Sequence, residues 1–362
     1  MKRAKPNPAL DASSRRQGRP SLATLSAHLG LSPAAISRVL NRTAAASAIP
    51  KETQDRIFAA AQQFNYRPNA MARSLRHGRS MTVGVLVPEI SDGYTTLVLS
   101  GLEKGLIQAG YFYFLISHHH RAELIEQAEA MLAERSVDGI VTIDTMMPIH
   151  IHLPSVAISC PVVQEGIIHI VLYHRRAASL AIDHLAGLGH SRIAVMKGPA
   201  FSSDTTPRWQ AIRHAATKAK LKLHPSLVSQ LEGDDPTHEP GYFAAQRLLA
   251  ANEPFTALFC FNDVSAIGAI RALREAGLRV PQDVSVVGFD DVQSAAFQNP
   301  GLTTVRQPLS QMGMLAAENL IRQIMAPADY ESVKQLVVDP ELVVRGSTGP
   351  PPSAVSTKTR RR

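Results

Sequence analysis

Short apolar runs alternate with amphipathic helical stretches from Met81 to Arg345, and this alternation constrains the fold more than any other sequence feature. The apolar runs of strand length lie at 82–87, 111–116, 139–143, 156–159, 192–196, 255–261, 284–289 and 342–344. The helical stretches lie at 96–109, 122–135, 176–187, 207–219, 241–251, 263–276 and 309–325. Such alternation predicts parallel sheets with helices on both faces. About 260 residues of it exceed one sheet domain, so we expect an α/β core of two Rossmann-like lobes with a cleft between them.

Charge is distributed unevenly along the chain. Residues 1–80 carry 14 Lys and Arg against three acids, a net of +11, and residues 345–362 have a net of +5. The intervening residues, 81–344, have a net charge of −8. An acidic body with a basic head indicates a polyanion-binding module joined to a second domain. A merely solubilising tail would lack the helical periodicity that residues 21–64 show.

The basic segment 20–66 has the pattern of three short helices. Ser21 is placed to cap the first helix and Gly30 to end it. Ser32 and Pro33 begin the second helix, with a cap followed by proline at the first helical position. The third helix runs from about Lys51 towards Asn65, a residue type that suits the left-handed conformation of a helix terminator. We therefore predict an all-α head.

Two short helices joined by a glycine-containing turn in a basic segment are typical of a helix-turn-helix. The second helix would present its first turns to base edges in the major groove. Arg38 suits a guanine or a phosphate, and the serines suit phosphates. A purely structural three-helix bundle would give the same pattern. The candidate DNA contacts here are Ser21, Ser32, Pro33, Ala34, Ser37 and Arg38.

Several runs in this chain resemble the LacI/GalR family of bacterial transcriptional repressors, in that family's order. Residues 31–41 (LSPAAISRVLN) are similar to its recognition helix and residues 66–75 (YRPNAMARSL) to its hinge. The remaining matches are at 83–88 (VGVLVP), 184–185 (HL) with 188–190 (LGH), 261–263 (FND), 277–291, 302–308 (LTTVRQP) and 340–347 (PELVVRGS). The resemblance covers residues 20–347.

The resemblance implies a helix-turn-helix domain at 20–66, a hinge at 67–80 and a periplasmic-binding-protein-like core at 81–346. Within the core it implies an N-subdomain at about 81–160 and 291–325. The C-subdomain would comprise about 161–290 and 328–345. Composition predicts disordered basic tails at 1–19 and 347–362.

The hinge segment from Asn69 to Arg76 is barely two turns long, which is too short for a stable isolated helix. We expect it to form only when two copies pack side by side over a palindromic double-stranded operator, so the protein is expected to be a homodimer. Leu75 matches the family's lever residue, which wedges into the minor groove. Asn69, Arg73 and Arg76 are expected to contact the DNA beside it, the arginines at phosphates. The alternative is a flexible linker in which Leu75 packs locally.

The resemblance also implies a small-molecule effector, a sugar or a sugar derivative, in the core cleft. The residues expected to bind it are Asp92, Tyr94, Tyr173, Arg208, Asn262 and Asp290. Relatives often place an acid followed by Asn where this chain has the run 173–176 (YHRR), and this change favours an anionic ligand. Alternatively, Arg175 and Arg176 point outward from a helix start and the ligand is neutral.

Other classes of protein are disfavoured by the sequence. It has no Walker loop, nucleophile elbow or HExxH motif, so we do not expect an enzyme or a cofactor. Consecutive histidines at 118–120 cannot easily face one metal ion, and Cys160 and Cys260 stand in separate apolar stretches. The sequence shows no apolar run of membrane-spanning length and no export signal, which disfavours a transport binding protein. We expect a cytoplasmic, nucleoid-associated regulator.

Replacing the lever residue tests the hinge hypothesis directly. Leu75→Ala should leave folding and dimerisation intact but reduce operator bending, because the wedge between base steps is lost. Bending is measured by gel mobility of permuted DNA fragments. Full bending by the variant would contradict the lever role.

Overall fold

A computed structural model describes residues 20–41, 43–66, 78–90, 93–146, 153–160, 162, 164–326 and 335–352. The chain divides into two compact units, residues 1–80 and 81–362, which we call the head and the core. Within the described ranges, none of the helices combines the length and the hydropathy needed to cross a bilayer.

The head is a small helical unit whose helix ends follow the sequence signals. Its helices are α1 (Leu22–Leu29), α2 (Pro33–Leu40) and α3 (Lys51–Gln63), with a 3-10 turn at Ala44–Ala48. The Ser21 hydroxyl accepts a hydrogen bond from the Thr24 N–H at 3.2 Å, and Ser32 caps α2 through the Ala35 N–H at 3.2 Å. Gly30 ends α1 with φ +65°, and Asn65 follows α3 with φ +47°. The predicted caps and terminators are confirmed.

The apolar core of the head joins all three helices. Its fully packed side chains are Leu25, Ile36, Val39, Ala46, Ile57 and Ala60. Ala46 comes from the 3-10 turn, so the segment between α2 and α3 contributes to the core rather than looping away. The buried alanine of α3 is Ala60, whereas the next residue, Ala61, is half-buried.

The described core contains two sheets flanked by helices. Its strands are β1 (Thr82–Val87), β2 (Phe112–Ser117), β3 (Gly139–Ile143), β4 (Ser155–Ile158), β5 (Ile167–Leu172), β6 (Ile193–Lys197), β7 (Val228–Gln230), β8 (Ala257–Phe259), β9 (Ser285–Asp290), β10 (Thr303–Arg306), β11 (Gln335–Val338) and β12 (Glu341–Val343). Its helices are α4 (Tyr94–Gln108), α5 (Ala122–Glu134), α6 (His174–Gly187), α7 (Thr205–Lys218), α8 (Glu239–Ala250), α9 (Asp263–Glu275), α10 (Gln293–Ala296) and α11 (Leu309–Met325).

The strands form one sheet in each lobe. The N-lobe sheet has the order β11-β5-β4-β3-β1-β2, and the C-lobe sheet has the order β12-β10-β9-β8-β6-β7. Strands β10 and β12 pair antiparallel, and the other described pairs run parallel. The predicted class, an α-helical head with a two-lobed α/β core, is confirmed.

The lobe boundaries differ from those that the resemblance implied. Strand β5, expected in the C-subdomain, pairs with β4 in the N-lobe sheet. Strand β10, expected in the N-subdomain, pairs with β9 in the C-lobe sheet, and β11 returns to pair with β5. The described chain therefore passes between the lobes after β5, after β10 and after β11. Contiguous sequence blocks missed this because strand pairing, not sequence adjacency, decides which lobe a strand joins.

Helices α4 and α11 pack at backbone contact in the N-lobe, and two glycines permit it. A Cβ added at Gly101 would lie 1.8 Å from the Ser310 carbonyl oxygen, and one at Gly313 would lie 2.0 Å from the Val98 carbonyl oxygen. Any side chain at either position would force the helices apart. This contact fastens α11, which follows β10 from the other lobe, to the N-lobe.

The segment that follows β12 is part of the fold, so the tail predicted to start at residue 347 begins too early. Ser347 is fully buried. Its hydroxyl accepts from the Thr303 N–H at 2.8 Å and donates to the Val286 carbonyl at 2.6 Å. The Gly349 carbonyl accepts a hydrogen bond from Ser285 Oγ at 3.0 Å. Both predicted tails otherwise fall on residues 1–19 and 353–362, which lie outside the described residues.

The buried serine gives a stability test of this segment. Ser347→Ala should lower the free energy of unfolding by about 1–3 kcal/mol, because the Thr303 N–H and the Val286 carbonyl lose a buried partner. Chemical denaturation of the full chain measures the change. Ser226→Ala, at an exposed serine, is the matched control and should be near neutral; equal stability of both variants would contradict the assignment.

Candidate functional site

The head presents the start of α2 at its surface. Ser32, Pro33, Ala34 and Arg38 are exposed there. Ser37 is not: it is 4 % exposed, and its hydroxyl accepts a hydrogen bond from Asn41 Nδ2 at 3.1 Å. The prediction that Ser37 contacts DNA is therefore corrected, because its side chain faces the interior of the head.

Ser21 is exposed at the start of α1. Its hydroxyl, like that of Ser32, is already used as a helix cap. The predicted hinge residues Asn69, Arg73, Leu75 and Arg76 and the predicted effector residue Asp92 lie outside the described residues.

A cleft of about 960 Å³, a volume that includes space open to solvent, lies between the two lobes of the core. It sits where the carboxyl ends of the parallel strands meet, which is where open α/β sheets bind ligands. From the N-lobe it is lined by Glu89, Tyr94 and Asp144, among others. From the C-lobe it is lined by residues of the loop after β6, the start of α7, and the ends of β8 and β9.

Arg208, on α7, is the most constrained side chain of the cleft. It is 4 % exposed. Its Nη2 donates to Asp204 Oδ2 at 2.9 Å and its Nη1 to the Phe261 carbonyl oxygen at 2.6 Å. The Phe261 and Phe289 ring centroids lie 4.4 and 3.8 Å from its Cζ. Its Nε has no hydrogen-bond partner among the described residues, so one buried donor of this side chain is unsatisfied.

Asp204 is the counter-ion of Arg208. It also lies 3.3 Å from His174 Nε2. Burial alone would raise the pKa of this carboxyl, but His174 and Arg208 outweigh burial and lower it. Asp204 is therefore ionised at neutral pH and balances the arginine.

Asp290 ends β9 in a strained backbone conformation, with φ +103°. Non-glycine residues adopt such angles rarely and mostly at functional sites. Its Oδ1 accepts from Gln307 Nε2 at 2.6 Å, and Gln307 lies where the chain returns to the N-lobe. Burial raises the pKa of Asp290 to about 7, although the Arg208 charge opposes the shift.

Asp144 follows β3 and links the lobes. It accepts hydrogen bonds from the Ser203 N–H at 3.0 Å and from Ser202 Oγ at 3.2 Å, both in the C-lobe loop after β6. Burial, assisted by the charge of Asp204, raises its pKa to about 7. Sequence reasoning missed Asp144 and Asp204, although an acid directly after a buried strand is a signal that points to Asp144.

Four of the six predicted effector residues lie together. Tyr94, Arg208, Asn262 and Asp290 line the same cleft. Tyr94 donates its hydroxyl hydrogen to Ser159 Oγ at 2.7 Å, and burial raises its pKa well above 10. Asn262 caps α9, with its Oδ1 accepting from the Ser265 N–H at 2.8 Å. Its amide is therefore partly committed to the fold.

The prediction that Tyr173 binds the effector is corrected, because this residue does not line the cleft and is 46 % exposed. The next residue, His174, contacts the cleft acid Asp204 instead. Arg175 and Arg176 are exposed, and Arg176 pairs with Asp339 at 3.5 Å. The outward orientation that the sequence left open is the one observed, so these arginines give no support to an anionic ligand.

The raised pKa of Asp144 predicts a pH-dependent stability. Between its ordinary pKa of 3.8 and its folded pKa of about 7, the folded protein holds a proton that the unfolded chain releases. This carboxyl therefore lowers the free energy of unfolding as pH rises through that window. Asp144→Asn should gain stability relative to wild type between about pH 5 and pH 8, by about 1–3 kcal/mol.

Denaturant unfolding at the two pH values measures the difference in the free energy of unfolding between the variant and wild type; this difference is the gap. Asp183→Asn, which removes an exposed carboxylate on α6, is the control and should leave the gap constant. A gap for Asp144→Asn that shrinks with rising pH would contradict the burial of an uncompensated charge.

Comparisons with known proteins agree with this architecture. Residues 182–348 match the model of the periplasmic binding protein-like domain family. The chain is 32 % identical over 329 residues to the HTH-type transcriptional repressor PurR of Haemophilus influenzae (strain PittEE), covering 88 % of this chain and 95 % of that protein. It is 31 % identical to PurR of Vibrio cholerae serotype O1 (strain M66-2), over 87 % and 94 % of the two chains.

Solved structures give the same result. A transcriptional regulator CelR–cellobiose complex aligns with a TM-score of 0.67 at 26 % identity, over 91 % of this chain and 100 % of that one. The Lac repressor dimer bound to operator and an anti-inducer shares the fold, with a TM-score of 0.78 at 23 % identity over 91 % and 99 % of the two chains. With near-complete coverage of repressors at more than 30 % identity, the chain belongs to the LacI/GalR family of bacterial transcriptional regulators.

Proposed function

We propose that this protein is a homodimeric transcriptional repressor that binds a palindromic double-stranded operator and responds to a small molecule in the core cleft. The observation that carries the proposal is the alignment with PurR repressors over 88 % of the chain. Those relatives are transcriptional repressors, and we propose that this chain has no enzymatic activity. A repressor acts where the chromosome lies, so we place it in the cytoplasm at the nucleoid.

The head supports DNA binding by its shape and its charge. Helix α2 begins with small residues, which allow close approach to base edges, and it exposes Arg38 one turn later. Arginine reads guanine through two hydrogen bonds in the major groove. The N–H groups at the start of α2 and the exposed Ser21 and Ser32 suit phosphates. Asn69, Arg73, Leu75 and Arg76 complete the proposed DNA contacts through the hinge.

The cleft supports a hydroxylated effector. Tyr94, Arg208 and Asp290 offer a hydroxyl, a guanidinium donor and a carboxylate on the walls of one cavity, and we propose that Asp92 and Asn262 contribute beside them. Such groups hydrogen-bond sugar hydroxyls from several directions. Related solved structures hold cellobiose and, in a LacI family regulator from Enterococcus faecium that is 25 % identical with a TM-score of 0.65, ribose.

The N-lobe has a surface that suits a second copy of the chain. Strand β2 stands at the edge of its sheet. It exposes Phe112 and Phe114 to solvent, to 79 % and 44 %. An exposed apolar edge strand favours association, and we propose that dimer formation covers it.

Arg38→Ala tests the DNA-binding proposal. It should cost roughly 1–3 kcal/mol of binding to an operator selected in vitro, because the base contact is lost. Binding to random DNA should change less, since phosphate contacts there are shared among many cations. Fluorescence anisotropy with full-length protein at fixed salt measures both affinities.

Arg56→Ala, on the exposed face of α3, removes the same charge from the same unit and serves as the control. The proposed register is supported if only Arg38→Ala lowers the ratio of operator to random affinity. Unchanged operator affinity in Arg38→Ala would refute it, and failure to select any preferred sequence would refute the proposed function itself.

A further inference from the structure

We propose that the effector of this protein carries a positive charge, as an amino sugar does, and that the cleft discriminates against acids. This inference rests on the proposed function, because it names the chemical class of the molecule that occupies the cleft. A cationic effector is neither of the two ligands that the sequence left open, the anionic one and the neutral one.

Carboxyl groups outnumber cations in the cleft lining. The acidic residues that line it are Glu89, Asp144, Asp204, Asp234, Asp235 and Asp290. They come from both lobes, so a bound ligand faces negative charge from both sides. Among the described lining residues, the only Arg or Lys is Arg208.

Arg208 does not offer an open positive charge to an anion. One Nη donates to Asp204 and the other to the Phe261 carbonyl, and two phenylalanine rings lie over the guanidinium. An anionic ligand would therefore compete with Asp204 for a neutralised cation while it approached Asp144 and Asp290. Beside an anion, Asp144 and Asp290, whose pKa values are about 7, would have to stay protonated, whereas a cation would favour their ionised forms.

Asp144 has no direct ion-pair partner in the described structure, and Asp290 is influenced by the charge of Arg208 without forming an ion pair with it. The hydrogen-bond donors to Asp144 are Ser202 and Ser203, and the donor to Asp290 is the Gln307 amide. Neither carboxylate forms an ion pair with a described side chain. Their raised pKa values are consistent with this missing charge. A ligand ammonium group supplies it, and buried carboxylates are paired more often than isolated.

The rest of the cleft fits a hydroxylated ring. Phe201 is 45 % exposed at the cleft, and its ring centroid lies 3.8 Å from that of His120 of the opposite lobe. Aromatic faces pack against the apolar face of a ring and attract cations. The buried, unpartnered Nε of Arg208 supplies a donor for a ligand oxygen. These observations are independent of the acidic residues and point to the same cavity.

A matched panel of ligands tests the proposal on the full chain without DNA. Glucosamine, galactosamine and mannosamine are compared with their neutral parent hexoses and with the corresponding uronic acids, by thermal shift and calorimetry at about pH 7, where the amines are largely protonated. We expect at least one amine to bind about ten-fold or more tightly than its neutral parent, and the acids to bind more weakly than either.

A double variant of nearly unchanged side-chain shape shows where the preference arises. Asp234→Asn with Asp235→Asn removes two exposed carboxylates that line the cleft. It should reduce the amine's advantage about three-fold or more, with little effect on the neutral hexose. Asp183→Asn with Glu126→Gln removes two exposed carboxylates outside the cleft. It is the control for lost charge and should leave the advantage intact.

The proposal is overturned if no amine in the panel binds more tightly than its neutral parent, or if an acid binds best. It is also overturned if the double variant and the control behave alike. These outcomes leave the proposed function standing, because that function fails on a separate result, namely the absence of sequence-specific DNA binding by the same protein.

Discussion

The core cleft depends on burying one charged side chain, Arg208. Removing an isolated guanidinium from water costs several kcal/mol, so it stays buried only with a full set of partners. Asp204 supplies the charge, the Phe261 carbonyl supplies a second acceptor, and Phe261 and Phe289 cover the faces. Because these partners come from the start of α7, the end of β8 and the end of β9, one side chain fixes three parts of the C-lobe relative to each other.

The same region connects the lobes. Ser202 and Ser203 lie in the loop that leads into α7, and both donate to Asp144 of the N-lobe. Gln307, where the chain crosses back to the N-lobe, donates to Asp290 of the C-lobe. A ligand in the cleft therefore contacts groups that also hold the lobes together. Under the proposed function, a bound ligand changes the geometry of the two lobes through these groups. The chain crossings after β5, β10 and β11 are the segments that connect the lobes.

Much of this architecture was predictable from local patterns. Helix α11 and strands β1 and β3 have the predicted bounds, because strong periodicity and clear flanking residues define them. Strand β7 has three residues, too few for a periodic signal. Strands β5, β10 and β11 were missed. The run Ile167–Leu172 (IIHIVL) has the apolar composition of a strand and could have been identified locally. The place of each strand in its sheet depends on pairing between residues far apart in sequence. Local patterning contains no information on such pairing.

The candidate site was predictable in type but not in detail. Arg208 and Asp290 were identified by resemblance, but their partners Asp204 and Gln307 were not, because hydrogen-bond geometry decides those. Tyr173 was chosen one position away from His174, which contacts Asp204. At the first residues of a helix, a shift of one position turns a side chain to another face, and composition cannot resolve that shift.

Under the proposed function, occupancy of the interlobe cleft controls DNA binding by the head. The most direct test is a titration of labelled operator with full-length protein, with and without a ligand that calorimetry shows to saturate the cleft. Operator Kd should change by about ten-fold, in either direction, with binding to random DNA unaffected. An identical operator Kd in the two titrations, with ligand bound in the same sample, would contradict this control of DNA binding.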